Sequence, residues 1–196
     1  SSGGIALIQM LNILENFKLS KIKHNSEEYL KILISVMNYA FYDRAKYLGD
    51  SKFFNVPQKI LTSKEYGKSI YNNILKNIRP TESNIIFSES EETTHFSVID
   101  KWGNAVSNTY TLNTAYGSGI VPSGTGILMN NEMDDFSSKP GVPNAYGLVG
   151  SEANKIEPNK APLSSMSPVI VFFEEKPFLV TGSPGGSTII TTVLQE

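Results

Sequence analysis

From Ile5 to Ile74 the apolar residues recur every three or four positions, the spacing of a helix face. Ile5, Ile8, Leu11 and Leu14, with Phe17 beyond, form one such face after the paired glycines Gly3 and Gly4. A second helix starts near Asn25, where Glu28 stands three residues on in the capping-box position. Its apolar face is Leu33, Val36, Met37, Ala40 and Phe41, and Gly49 is placed to cap its end. A third starts at Thr62, with Glu65 in the same relation, and carries Ile70 and Ile74. Between the last two, Phe53 to Pro57 reads as an extended linker with anchoring aromatics. These stripes read as core rather than as ligand sites.

The helical pattern fails from Arg79 to Glu92. Serines and glutamates dominate there, and only Ile85, Ile86 and Phe87 can pin the segment down, which describes an exposed connecting arm. At Thr93 the period becomes 2, with Thr94, Phe96 and Val98 alternating with Thr93, His95 and Ser97. A turn over Lys101 to Asn104 and a strand from Ala105 to Leu112 complete a hairpin. A glycine-rich loop from Gly117 to Gly126 leads to a short strand, Ile127 to Asn130. Pro140 to Gly150 is a loop long enough to act as a lid. Val169 to Phe173 and Phe178 to Thr181 form a second hairpin across Glu174 to Pro177. The run Gly182-Ser183-Pro184-Gly185-Gly186-Ser187 then enters a helix.

Composition narrows this picture. The 196 residues suit one domain or two small ones, and the 40% apolar and 18% charged fractions describe a globular chain. A net charge of -2 gives no electrostatic case for nucleic acid or an anionic membrane surface. No apolar run reaches the roughly 20 residues of a membrane span. The absence of cysteine excludes disulfides, thiolate metal sites and a cysteine nucleophile, and two isolated histidines do not make a zinc site. Neither a metal nor a cofactor is expected. The uncapped terminal patterns read as an excerpt of a longer polypeptide.

Three features could carry chemistry. Cleavage of the Glu92–Thr93 bond would leave a free α-amine beside a β-hydroxyl on Thr93, a base and a nucleophile on one residue. The glycine run at Gly182 to Ser187 lacks the lysine of a P-loop and the spacing of a dinucleotide fingerprint. It could still form an oxyanion hole from glycine amides, or simply connect two elements. Asn130, Asn131, Glu132, Asp134 and Asp135 crowd a strand end. Their carboxylates suit acid–base work, a metal, the ammonium group of an amino-acid substrate, or a solvated turn.

Five motifs stand in order: Thr93-Thr94-His95-Phe96-Ser97, Thr109-Tyr110-Thr111-Leu112-Asn113, Asn130-Asn131-Glu132-Met133-Asp134-Asp135-Phe136, Pro162-Leu163-Ser164-Ser165-Met166 and Gly182-Ser183-Pro184-Gly185-Gly186. With Ser2-Gly3-Gly4 and Asp43-Arg44-Ala45-Lys46-Tyr47-Leu48-Gly49-Asp50, they resemble the bacterial gamma-glutamyltranspeptidase family through nearly the whole chain. The resemblance implies an incomplete section of an α/β (α+β) N-terminal-nucleophile hydrolase, an αββα sandwich made as a self-cutting precursor. Residues 1–92, with the arm at 79–92, would end the large subunit, and residues 93–196 would start the small one. It implies Thr93 as nucleophile, Thr111 supporting its hydroxyl, and Gly185 and Gly186 as oxyanion donors. Asn113, Glu132 and Asp135 would hold the γ-glutamyl donor's amino-acid end, Ser164 and Ser165 would assist at its carboxylate, and Tyr146 would tip the lid.

The activity so implied is transfer of a γ-glutamyl group from glutathione or related amides to amino acids, peptides or water. No cofactor is implied, and a bacterial periplasmic or secreted location is. Asn108, Ala161 and Thr188 depart from the family's usual residues without removing a catalytic group, and the arginine expected for the donor carboxylate lies in an earlier region of such proteins. The competing reading is a catalytically silent relative or fragment that binds amino-acid-like ligands or partners. A phosphate- or nucleotide-binding use of Gly182 to Ser187 is a third.

Overall fold

A computed structural model describes residues 2–80, 92–144 and 147–196. Five helices, α1 (Gly3–Leu14), α2 (Glu27–Tyr47), α3 (Gln58–Leu61), α4 (Lys64–Leu75) and α5 (Ile189–Gln195), accompany four strands. The strands are β1 (Thr94–Ile99), β2 (Ala105–Tyr110), β3 (Val169–Phe173) and β4 (Lys176–Thr181).

One hydrophobic cluster joins both halves of the chain. It takes Ala6, Leu7, Met10 and Ile13 from α1, Val36, Ala40 and Phe41 from α2, Ile70 from α4, and Ile189, Ile190 and Val193 from α5. The α1 face differs from the one its spacing suggests: Ile8 and Leu11 are exposed. The helix is apolar on nearly every side, so periodicity alone does not choose the face that meets its neighbours. Gly67 sets how closely α4 crosses α1, since a Cβ there would fall 2.7 Å from the Asn12 carbonyl oxygen.

The caps sit one residue later than the capping-box spacing suggests. Ser26 and Ser63, in extended conformation, accept hydrogen bonds from the backbone N–H groups of Tyr29 and Tyr66. Asn25 instead adopts φ 57 in the preceding turn, and Thr62 closes α3. Serine suits this role because its short hydroxyl reaches the third N–H of the helix. Gly49 is not a left-handed cap. The chain leaves α2 through the extended Leu48, and Gly49 is needed because a Cβ would fall 2.1 Å from the Ala153 carbonyl oxygen.

Beyond Thr93 the strands form two separate antiparallel hairpins, β1–β2 and β3–β4. The register pairs His95 with Thr109 and Ile99 with Ala105. In β3–β4, Glu174 and Glu175 both take positive φ (47 and 62). That two-residue turn lets β4 begin at Lys176, two residues before the expected Phe178. Strand β2 stops at Tyr110 rather than Leu112 because the chain then turns at Thr111 and Asn113 to build the site below. The hairpins meet at Ser107, whose hydroxyl donates to the Thr181 carbonyl oxygen at 2.7 Å and accepts from the Val169 N–H at 3.1 Å. No strand forms at residues 127–130. The glycine-rich loop folds back on itself there, with Met129 donating to Ile120 and accepting from Ser118.

Candidate active site

Several of the predicted groups stand where an element begins or ends. Thr93, immediately before β1, is buried, while Glu92 beside it is exposed. After β2 the backbone reverses at Asn113, whose φ of 78 suits an asparagine better than a branched residue. Its N–H donates to Thr111 Oγ1 at 2.9 Å, leaving that hydroxyl its own proton to direct. Asn113 Nδ2 donates to the Asn131 carbonyl oxygen at 3.3 Å, and the Thr114 N–H donates to Asn131 Oδ1 at 3.2 Å. These bonds stitch the end of β2 to the 3-10 turn Glu132–Asp135.

Asn154 fixes the other side of that turn. Its side chain donates to the Asp135 carbonyl oxygen at 2.7 Å and accepts from the Leu163 N–H at 3.1 Å, so Asp135 and the Ser164–Ser165 segment share one clamp. The first turn of α1 closes in from beneath. Ser2 donates to the Ser164 carbonyl oxygen through both its N–H (3.0 Å) and its hydroxyl (2.7 Å). Gly3 permits this approach, because a Cβ there would lie 2.0 Å from Ser167 Oγ. The Ser2-Gly3 pair is thus a packing requirement of the serine segment.

A single cavity gathers Thr93, Thr111, Asn113, Asp135, Ser164, Ser165 and Gly186, together with Leu148, Met166, Ser187 and Ile189. Its volume is about 30 Å³ and it is open on one side. Leu148 brings the 140–150 loop to its wall, whereas Tyr146, the expected lid tip, lies outside the described residues, as do positions 81–91 of the arm. Glu132 and Gly185 stand one step behind the lining. Glu132 hydrogen-bonds Asp135 side chain to side chain. Gly185 precedes Gly186 with φ 125. At the mouth of that turn Gly182 lies against the imidazole of His95, where a Cβ would meet ring atoms at 2.4 Å. His95 also hydrogen-bonds Thr109 Oγ1 at 2.7 Å, so the ring ties β1, β2 and the glycine turn together.

The carboxylates are tuned by burial. Glu132 is raised well above the usual carboxylate range, first by burial and then by its bond to Asp135 and that neighbour's charge. Burial also raises Asp135, opposed by the bond from Glu132 and by the charge of Arg44. The pair therefore keeps a proton on Glu132 and the negative charge on Asp135, an arrangement suited to an ammonium group. Among the described residues no cluster has the makings of a metal site.

Arg44 stands in a motif that carries the resemblance, but the sequence assigned it no role. It lies in the last turn of α2, is buried, and donates from Nε to Ser2 Oγ and from Nη2 to Ser165 Oγ, both at 3.0 Å. The available signal was the charged pair Asp43-Arg44 set inside an otherwise apolar helix face, a position that charged residues occupy only with partners.

The mixed helix-and-strand scaffold is similar in fold to cephalosporin acylase from Bacillus halodurans. That likeness covers 98% of this chain and 33% of the other, with a TM-score of 0.74 at 23% identity. The family model for gamma-glutamyltranspeptidase matches residues 1–196, and the chain belongs to that family. It is 56% identical to a glutathione hydrolase proenzyme of Escherichia coli and 52% identical to one of Pseudomonas aeruginosa, covering all of this chain and 34% and 36% of theirs. It thus spans about a third of the length of these curated relatives. A crystal structure of a mutant Helicobacter pylori gamma-glutamyltranspeptidase matches at 70% identity and a TM-score of 0.50, over 52% of this chain and 55% of that one.

Proposed function

We propose that this chain is the catalytic section of an autoprocessing γ-glutamyl transferase and hydrolase acting on glutathione and similar γ-glutamyl amides. The observation that carries the reading is the one cavity in which Thr93, Thr111, Asn113, Asp135, Ser164, Ser165 and Gly186 meet from five separate stretches of sequence. Cleavage of the Glu92–Thr93 bond consumes one water and divides the chain into the end of a large subunit and the start of a small one. In the complete protein the hairpins belong to an αββα sandwich.

The chemistry follows from what cleavage releases. An amide nitrogen has no basic lone pair, but an α-amine titrates near pH 7.7–8 and can take the Thr93 hydroxyl proton. The oxygen then attacks the γ-carbonyl carbon of the donor. Thr111 donates to the nucleophile's oxygen to fix its aim, and the branched Cβ of threonine limits the rotamers to be frozen. The carbonyl oxygen gains charge and is met by the amides of the glycine turn, each worth about 3 kcal/mol to the barrier. The α-ammonium group returns its proton to the departing amine, leaving a γ-glutamyl ester on Thr93. Water or an incoming amine repeats the steps in reverse and frees the enzyme.

Donor recognition divides by charge. Asp135 takes the donor's ammonium group with Asn113 and Glu132 beside it, while Ser164 and Ser165 meet the α-carboxylate. The test is release of the anilide from a γ-glutamyl anilide by the purified full-length protein, with and without a dipeptide acceptor. Release that depends on cleavage at Thr93 and rises with acceptor is expected. Cleaved protein that leaves the anilide intact would favour the silent-relative reading instead.

A further inference from the structure

We propose that Arg44 is a positioning residue for donor binding: from the buried face of α2 it fixes the Ser164–Ser165 segment and sets a positive charge across a small cavity from Asp135. The inference rests on the γ-glutamyl-donor reading of the cavity above.

The geometry has two arms. One runs from Arg44 Nε to Ser2 Oγ at 3.0 Å, and from the Ser2 hydroxyl to the Ser164 carbonyl oxygen at 2.7 Å. The other runs from Arg44 Nη2 directly to Ser165 Oγ at 3.0 Å. One guanidinium therefore holds two consecutive serines through a rigid planar fork, which a lysine cannot reproduce. Because Ser165 Oγ accepts from Arg44, its own proton is left to donate toward the cavity that Ser165 lines.

The charge has a separate destination. Burial brings Arg44 down to about 10, which still leaves it a cation at neutral pH. Its hydrogen-bond partners, Ser2 and Ser165, are neutral, so they solvate the charge without balancing it. The anion acting on it is Asp135, across a second small cavity that both residues line with Ser137 and Asn144. Burial and Asp134 push Asp135 toward its neutral form, and the bond from Glu132 and the charge of Arg44 oppose them. After cleavage the α-amine of Thr93 stands on the cavity that Asp135 also lines. Arg44 does not line the Thr93 cavity, so it acts on the donor only through Ser165 and Asp135.

The experiment uses full-length protein and compares Arg44→Gln, Arg44→Lys and Ser2→Ala with wild type. Processing is followed on denaturing gels, and kcat and KM for a γ-glutamyl anilide are measured from about pH 5.5 to 9.5. Arg44→Gln should raise the donor KM about tenfold or more with kcat within about threefold, and move the acidic limb of kcat/KM to higher pH. Arg44→Lys should return the limb to its wild-type position while KM stays high, and Ser2→Ala should raise KM with the limb unmoved. An Arg44→Gln enzyme whose limb stays in place, or whose kcat and kcat/KM fall equally, overturns the proposal. If that variant does not fold, wild-type KM in both Arg44→Lys and Ser2→Ala overturns it. A wild type that never turns over the donor sinks the donor reading and this inference with it, whereas active wild type beside unaltered variants sinks the role of Arg44 alone.

Discussion

Substitution of Gly185 by alanine strikes the backbone on which the glycine turn depends. Gly185 has φ 125 and ψ 25, far outside the small left-handed region near φ +50 to +70 that a residue with a Cβ can enter. Holding alanine there costs about 1–3 kcal/mol. The new Cβ would also lie 2.9 Å from Thr188 Oγ1, a hydroxyl that donates to the Gly185 carbonyl oxygen at 2.7 Å. Turning that hydroxyl away loses about a further 1 kcal/mol. The Thr188 N–H donates to the same carbonyl at 3.0 Å, so the strain is relieved by opening the turn. The oxyanion amides then lose their aim, and kcat should fall about 10²–10³-fold, the cost of one such donor. Gly186, at φ 54, lies inside the left-handed region and alanine there costs about 1–2 kcal/mol. Steady-state kinetics and thermal melts on the processed full-length protein should therefore rank Gly185→Ala as the more damaging in kcat. A Gly185→Ala enzyme with kcat within about threefold of wild type would refute the argument.

Asp43 is buried in the helical core, where Gln9 Nε2 and the Tyr66 hydroxyl both donate to Oδ2, at 2.6 and 2.8 Å. Burial raises its pKa above the unfolded value, so its contribution to stability is full at low pH and is lost as pH rises through the folded pKa. Asp43→Asn keeps an acceptor for both donors, and its thermal midpoint should gain on wild type from pH 4 to pH 8; a constant difference would contradict this. Glu132 carries the proton of its pair, so Glu132→Gln should leave the donor KM at pH 7 within about threefold, whereas Asp135→Asn, losing a charge-assisted contact, should raise it about 10–100-fold. Equal effects of the two substitutions on KM would remove the division of roles. Gly67→Ala, which drives a Cβ to 2.7 Å from the Asn12 carbonyl oxygen, should cost about 1–3 kcal/mol in urea unfolding without shifting the pH profile.

The sequence conveyed most where local chemistry and tertiary packing agree. The change of period at Thr93, the two hairpins and the glycine turn all appear because alternation and turn residues act over a few neighbours. The α1 face was misread because Ile8 and Leu11 are as apolar as Leu7 and Met10, and only the positions of α2, α4 and α5 decide between them. The role of Gly49 was misread for a related reason, since its close neighbour Ala153 lies about a hundred residues away in sequence. Most of the predicted site residues proved to line one cavity because five motifs recognised together constrain each other. The roles of Arg44, Asn154 and Ser2 escaped because these side chains hold other residues, through contacts that span more than a hundred positions in the case of Ser2 and Ser164.

Activity turns on the bond between Glu92 and Thr93. N-terminal sequencing with intact mass of purified full-length protein after incubation under folding conditions tests it most directly. Two chains are expected, the shorter beginning Thr93-Thr94-His95-Phe96-Ser97, and Thr93→Ala should remain a single inactive chain. Turnover by an uncut wild type, or the same cut in Thr93→Ala, would contradict the assignment of Thr93 as its own base and nucleophile.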